Sequence, residues 1–422
     1  MVQPGEVFYG LIPRRLEPFG LAGVGERIPY LASLGVTGLW LSPMFARSGH
    51  DFGYGMTDYF AIDEAHGTVD DLRSVVRAAH DHGLKVILDV APNHTSDQHP
   101  FYRDVRERGE ESPYTDYYVV RDDGTHDYYF EWSTLINLNY GNPDVERHMV
   151  DALTYWIDAC DIDGYRMDAA WGIRQRTPDF WPRCVDALRA RKPELFLLAE
   201  ASALDPYYLR AGFDAAYDWT DELGRWAWEE AFEPAASPAR VLASRLRGSR
   251  DQAHVFRFLN NNDTRERFVT RHGLERTKAA TALLMTLPGI PCLYMGDEAG
   301  AQFQPYGERE PVMWPEAPEL VDFHRRLINL RRRMVAGDAD AVVLDTDSPE
   351  SVIAYAQPGT RGGTVVCAVN FGPATAVEVR LLDRADGIAP DIWGGGQHEI
   401  TSGTVRLPMR AEALAVLELP AA

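Results

Sequence analysis

From Val7 to about Arg333 the chain alternates short apolar runs with longer amphipathic stretches. The runs are VFYGLIP from Val7, GVTGLWLSP from Gly35, LKVILDVAPNH from Leu84 and IDGYRMDAA from Ile162. They continue with LFLLAEA from Leu195, FDAAYDW from Phe213, AHVFRFLNNND from Ala253 and GIPCLYMGDE from Gly289, eight in all. Near-continuous apolar strands are buried on both faces, the mark of a parallel sheet covered by helices. The intervening segments carry the helical period. In DDLRSVVRAAHDHG (70–83), Leu72, Val75, Val76 and Ala79 share one face and Gly83 ends the helix. Eight strand–helix units predict an α/β fold, a closed (β/α)8 TIM barrel.

One connection is too long. Roughly 70 residues separate His94 from Ile162, where about 15–25 suffice for a loop and a helix. The polar, Tyr- and Asp-rich stretch 95–142 therefore predicts a small excursion domain over the C-terminal face of the barrel, with a helix from about Asp144 to Cys160 leading into the fourth strand. Beyond Arg333 the runs SVIAYAQ, TVVCAVNF, TAVEVRLL and ALAVLEL are short, β-branched and separated by turn residues. The expected division is a barrel over 1–94 and 143–335, an excursion over 95–142 and an all-β sandwich over 336–422.

The 422 residues carry 63 acidic and 42 basic side chains, a net charge of −21, which disfavours nucleic acid and anionic membranes as partners. No apolar run approaches the ~20 residues of a membrane span. The N-terminus lacks the charged and apolar regions of a signal peptide. Cys160, Cys184, Cys292 and Cys367 have neither zinc nor redox spacing and read as buried thiols. A cytoplasmic protein is the expectation, and a monomer.

Catalytic groups of such barrels sit at the C-terminal strand tips. The tips here carry Asp89 and His94 after the third run, Arg166 and Asp168 on the fourth, Glu200 on the fifth, and Asn262 and Asp263 on the seventh. A structural ring of ion pairs also clusters acids. Arg166 and Asp168 favour chemistry: two apart on a strand, they project from one face, and a guanidinium holds a neighbouring carboxylate ionised, as a nucleophile requires. Glu200 closes an apolar run, and burial beside another acid raises its proton affinity, as a general acid requires. Two carboxyls split in this way are the equipment of a retaining glycosidase.

The segments DVAPNHTS (89–96), GYRMDAAW (164–171), LLAEAS (197–202) and FLNNND (258–263) resemble, in order, the four signature regions of the α-amylase family of glycoside hydrolases. LINLNYGNP (135–143), FGYGMTDYFAID (52–63) and PGIPCLYMGDE (288–298) resemble three further stretches of that family, so the likeness spans residue 7 to about 335. The resemblance implies Asp168 as nucleophile, Glu200 as acid/base, and Asp263 gripping the sugar's 2- and 3-hydroxyls in the transition state. It further implies substrate contacts from Tyr54, Asp89, His94, Arg166 and Asn262, while Trp171 either lines an acceptor subsite or packs.

Asn93 resembles a family position that binds a structural calcium ion. The excursion is short and lacks dense Asp/Asn spacing, so no metal or other cofactor is expected. Two positions depart from the family pattern. Asn262 stands where a histidine is usual, and Gly55 where an aspartate is common, so Arg166 is expected to be held differently. The reading that follows is a retaining hydrolase of α-1,4-glucosidic bonds in malto-oligosaccharides or related α-glucans. A glucanotransferase or glucosyl isomerase on the same site, and a non-catalytic carbohydrate-binding barrel, are the alternatives.

Overall fold

A computed structural model describes the chain except residues 1–4, 49–51, 265, 308–310, 335–338, 361, 382–384 and 420–422. The boundary expected at 335/336 lies outside the described residues.

The eight apolar runs form β1 (Phe8–Leu11), β2 (Gly38–Leu41), β3 (Lys85–Val90), β4 (Gly164–Met167), β5 (Phe196–Ser202), β6 (Ala215–Tyr217), β7 (Val255–Arg257) and β8 (Ile290–Tyr294). Every neighbouring pair is parallel, and β1 joins β8 to close the barrel. Helices pack outside it. Helix α1 (Leu21–Leu34) packs beside α2 (Val69–Asp81), whose Thr68 and Asp71 form a capping box and whose Leu72, Val75, Val76 and Ala79 are buried. The bottom is sealed by Arg331 on α3 (Pro318–Met334), which is buried and donates to the carbonyls of Met285 at 3.0 Å, Leu287 at 2.7 Å and Gly289. Otherwise those carbonyls would face the core unpaired.

Between β3 and β4 the chain makes a three-stranded antiparallel sheet (His94–Ser96, Tyr128–Tyr129, Trp132–Asn137) with a helix over Pro100–Arg108. His94 thus belongs to the excursion sheet, where it pairs with Asn137. It is not a residue of the third barrel strand, because the chain turns through Ala91–Asn93 first. A helix over Pro143–Cys160, capped by the Asn142 side chain, returns to the barrel. At the C-terminus two four-stranded sheets face each other. β9 (Val342–Leu344), β10 (Val352–Pro358), β11 (Thr364–Asn370) and β16 (Ala413–Leu419) form one. The other comprises β12 (Thr375–Arg380), β13 (Gly387–Pro390), β14 (Gln397–Thr401) and β15 (Thr404–Met409). They enclose a core of Val352, Val366, Val377, Val379, Val405 and Leu417, the packing of a β-sandwich.

Register places the chemistry. Asp89 on β3 pairs with Arg166 on β4, while Leu198 and Ala199 on β5 pair with Arg166 and Met167. One step further, Glu200 stands level with Asp168, and the two-residue period turns Arg166, Asp168 and Glu200 toward the barrel axis. This approach of β4 to β5 needs Gly164, where a Cβ would lie 2.0 Å from the Phe196 carbonyl oxygen. Gly164→Ala is therefore expected to destabilise by about 2–3 kcal/mol and to lower activity by moving this register. Gly248→Ala, where a Cβ meets nothing within 4 Å, is the control that leaves both unchanged; denaturant unfolding of the pair checks it.

Candidate active site

At the C-terminal mouth the fully buried Arg166 organises the acids. Its Nη1 donates to Asp89 Oδ1 at 2.8 Å and to Asp168 Oδ1 at 2.7 Å, and its Nε donates to the Tyr217 hydroxyl at 3.0 Å. Nη2 lies 2.9 Å from Glu200 Oε1 and 3.9 Å from Asp263 Oδ2. Two carboxyls on the two ends of one planar guanidinium are necessarily neighbours. Glu200 Oε2 also accepts from the Ala169 amide at 2.6 Å. Ala169 adopts a left-handed conformation, φ 48°, where β4 turns sharply into the helix Ala170–Arg176. That turn aims an N–H back across the site, which explains the cost of a strained non-glycine residue there.

The remaining expected residues divide into those that face the mouth and those that support it. Asp89 is fully buried, and its Oδ2 accepts from Trp40 Nε1 and the Tyr54 hydroxyl, both at 3.1 Å. With both oxygens taken, its part is to hold Arg166, in contrast to the substrate contact expected of it. Tyr54 is buried likewise, its hydroxyl committed to Asp89 and its ring 5.8 Å from the Arg166 guanidinium carbon. His94 is buried; its Nδ1 lies 3.2 Å from Asn93 Nδ2, while Nε2 has no partner. Burial lowers its pKa to about 3, so the ring is neutral. Asp263 stands beyond the end of β7 in a turn built on the Asn261 side chain, which accepts from the amides of Asp263 at 2.9 Å and Thr264 at 3.0 Å. Half-buried Trp171 lies at the rim, its ring 5.3 Å from exposed Phe130 and 6.1 Å from Tyr129.

Tyr129 escaped the sequence reading. It comes from the excursion sheet, its ring lies tilted 5.0 Å from that of His94, and its phenol is held protonated by burial and by Glu200, Asp168 and Asp263. No spacing signals it, because a tyrosine-rich loop offers several equivalent candidates until the excursion folds over the barrel.

The electrostatics correct one expectation. Arg166 was expected to keep Asp168 ionised, but burial outweighs it and raises Asp168 to about 7. Burial, opposed by Arg166 and reinforced by Asp168 and Asp263, raises Glu200 to about 8. Burial likewise raises Asp89 to about 7. One cation does not balance three buried acids, so the cluster retains a proton at neutral pH.

The position resembling a calcium ligand is already filled. Asn93 Oδ1 accepts from Arg176 Nη2 at 2.6 Å, and Asn93 Nδ2 donates to Asn137 Oδ1 at 2.9 Å. A guanidinium there, with Gly172 leaving room for it, does not fit a divalent cation on the same oxygen. Among the described residues no group of three or more His, Cys, Asp or Glu side chains has a metal-binding arrangement.

An eight-stranded parallel barrel with carboxyls converging from β3, β5, the tip of β4 and the turn after β7 defines a class of barrel with an acidic mouth. The catalytic-domain model of the α-amylase family matches residues 19–319, and the chain belongs to that family. It is 32% identical to α-amylase MalA of Haloarcula japonica over 83% of this chain and 52% of that protein. It is 30% identical to the intracellular maltogenic amylase of Bacillus subtilis over 74% of this chain and 55% of that protein. The chain thus spans about half the length of these curated relatives. The crystal structure of an Anoxybacillus α-amylase shares the fold, with a TM-score of 0.79, 24% identity and coverage of 99% of this chain and 98% of that one.

Two outcomes follow. A carboxyl raised from about 4 in the unfolded chain to about 7 in the folded one adds stability below pH 4 that is lost as pH rises through 7. Asp168→Asn is therefore expected to raise the unfolding midpoint by about 2–4 °C at pH 8, with the gain vanishing toward pH 4; calorimetry across that range checks the sign. Chelation with excess EDTA is expected to leave the midpoint unchanged, whereas Arg176→Ala lowers it.

Proposed function

We propose that this chain is a retaining hydrolase of α-1,4-glucosidic bonds in malto-oligosaccharides or related α-glucans, without a required cofactor. The observation that carries the reading is the pair Asp168 and Glu200 held on opposite nitrogens of the buried Arg166. A nucleophile and a proton donor on neighbouring strand tips suit a double displacement. Asp168 Oδ attacks the anomeric carbon while Glu200 delivers its proton to the departing glycosidic oxygen. The resulting Glu200 carboxylate then takes a proton from water, whose oxygen attacks the same carbon and releases Asp168. Asp263 accepts hydrogen bonds from the hydroxyls of the reacting sugar. The names of the relatives, an α-amylase and a maltogenic amylase, agree with an α-glucan substrate.

The rim of Tyr129, Phe130 and Trp171 supports a second reading, transfer to an acceptor sugar, because apolar sugar faces stack on such rings. A cytoplasmic location fits four cysteines that are all free and buried, and we take the chain to act as a monomer.

Asp168→Asn is expected to lower kcat on an aryl α-maltoside by about 10³-fold or more. Glu200→Gln should impair maltotriose far more than an activated aryl glycoside, whose leaving group needs no proton. In the wild type kcat/KM should be bell-shaped in pH, with limbs belonging to the coupled Asp168–Glu200 pair; a profile flat from pH 5 to 10 defeats the assignment. Products from maltotriose longer than the substrate, without new reducing ends, move the reading to transfer.

A further inference from the structure

Asn262 looks like a loss, since an amide replaces a side chain able to carry charge. Its surroundings show a different construction. Asn262 Nδ2 lies 2.9 Å from the hydroxyl of Tyr54 and 2.9 Å from the hydroxyl of Tyr306. Those phenols have their own acceptors: Tyr54 donates to Asp89 Oδ2 at 3.1 Å and Tyr306 to Asp263 Oδ1 at 2.8 Å. Each phenol has one hydrogen and gives it to a carboxylate, so each must receive at its oxygen. An amide nitrogen has two hydrogens, one for each. An imidazole nitrogen has at most one, and cannot serve two phenols from one atom.

Tyr306 is held for this task from outside the barrel. Arg14 Nη2 donates to the Pro305 carbonyl and Arg15 Nη1 to the Gln304 carbonyl, both at 2.9 Å. The Tyr306 ring packs 4.4 Å from that of Phe52, itself covered by the Arg14 guanidinium at 4.8 Å. These contacts fix the backbone and ring of a residue far from Asp263 in sequence. The position of Asp263 has little other support: its side chain is about one-third exposed, Arg166 is 3.9 Å away, Asn261 Nδ2 donates at 3.3 Å, and Asn262 Nδ2, its two hydrogens directed to the phenols, lies 3.2 Å away.

We propose that Tyr306 is the positioning residue for Asp263, and that Asn262 and Tyr54 join it in a continuous amide–phenol bridge from Asp89 to Asp263 that replaces the histidine usual at position 262. The bridge ties the one loosely held acid of the site to the buried acid that anchors Arg166. It rests on the function proposed above for Asp263.

The test measures kcat and KM on p-nitrophenyl α-maltoside, and unfolding midpoints, for the wild type, Tyr306→Phe, Asn262→Ala, their double variant and Asn262→His. Tyr306→Phe should lower kcat about 10–100-fold, the worth of a hydrogen bond to a charged group, and change KM by less than about 3-fold. The double variant should be no worse than the poorer single variant, since both cut one chain of bonds. Asn262→His should lose activity as well, although it restores the family's usual residue. Wild-type kcat in Tyr306→Phe, multiplying losses in the double variant, or a gain in Asn262→His overturns the proposal. Tyr306→Phe removes one oxygen from a ring at the mouth, so its kcat stands as a test even where Asn262→Ala fails to fold. A wild type without turnover sinks the function reading instead. The bridge is then judged on the midpoints alone, where non-additive shifts support it and additive shifts overturn it.

Discussion

The whole site depends on one buried cation. Arg166 has no exposure, and Asp89, Asp168 and Glu200 all lie within 2.9 Å of its guanidinium. A charge so placed is tolerable only with partners, and the partners are tolerable only because of it. The carboxyls outnumber the cation, so some proton must stay with them, and a cluster that shares protons is the starting material for acid–base chemistry. The register of β3, β4 and β5 is what brings these groups to one level, and the missing Cβ of Gly164 is what allows that register. Catalytic geometry and backbone packing are therefore a single constraint in this barrel.

Much of this was legible in the chain because strands confer rigid periodicity. Eight apolar runs give eight parallel strands, and a residue two apart from another shares its face, so Arg166, Asp168 and Glu200 follow directly from sequence. Reasoning failed where position depends on loops. Tyr129 and Tyr306 reach the mouth from an excursion sheet and from the segment after β8, and nothing local distinguishes either from other tyrosines. It failed also where a balance of magnitudes decides. A carboxylate beside an arginine reads as ionised, yet full burial reverses the direction at Asp168. Asp89 looked like a mouth residue until its two oxygens were accounted for.

The two sides of the mouth are closed by a common device. On one side the excursion is tied to the barrel through Asn93, whose amide bridges Asn137 of the excursion sheet and Arg176 of the helix after β4. On the other, Arg14 and Arg15 after β1 grip the carbonyls of the Gln304–Tyr306 segment. Guanidinium groups supply fixed donors in a fork that a hydrated metal ion or a lysine would not reproduce. In a chain with a net charge of −21, spending arginines on neutral carbonyl and amide oxygens leaves the mouth acidic. That suits an uncharged, hydroxyl-rich ligand better than an anionic one.

An uncharged residue at position 262 also bears on the proton economy of the acids. A protonated imidazole beside Asp263 would add a second cation to the cluster and draw the carboxyls toward ionisation. With Asn262 in that place, and the phenols of Tyr54 and Tyr306 held in their neutral form, Arg166 remains the only positive charge in contact with the carboxyls among the described residues. Burial then dominates, and Asp168 and Glu200 are both pushed well above the ordinary carboxyl range. Asn262 therefore exchanges an electrostatic contribution for a geometric one. It carries no charge that would ease ionisation of Asp168, and in return its amide hydrogens meet two phenols and, through Tyr306, reach Asp263.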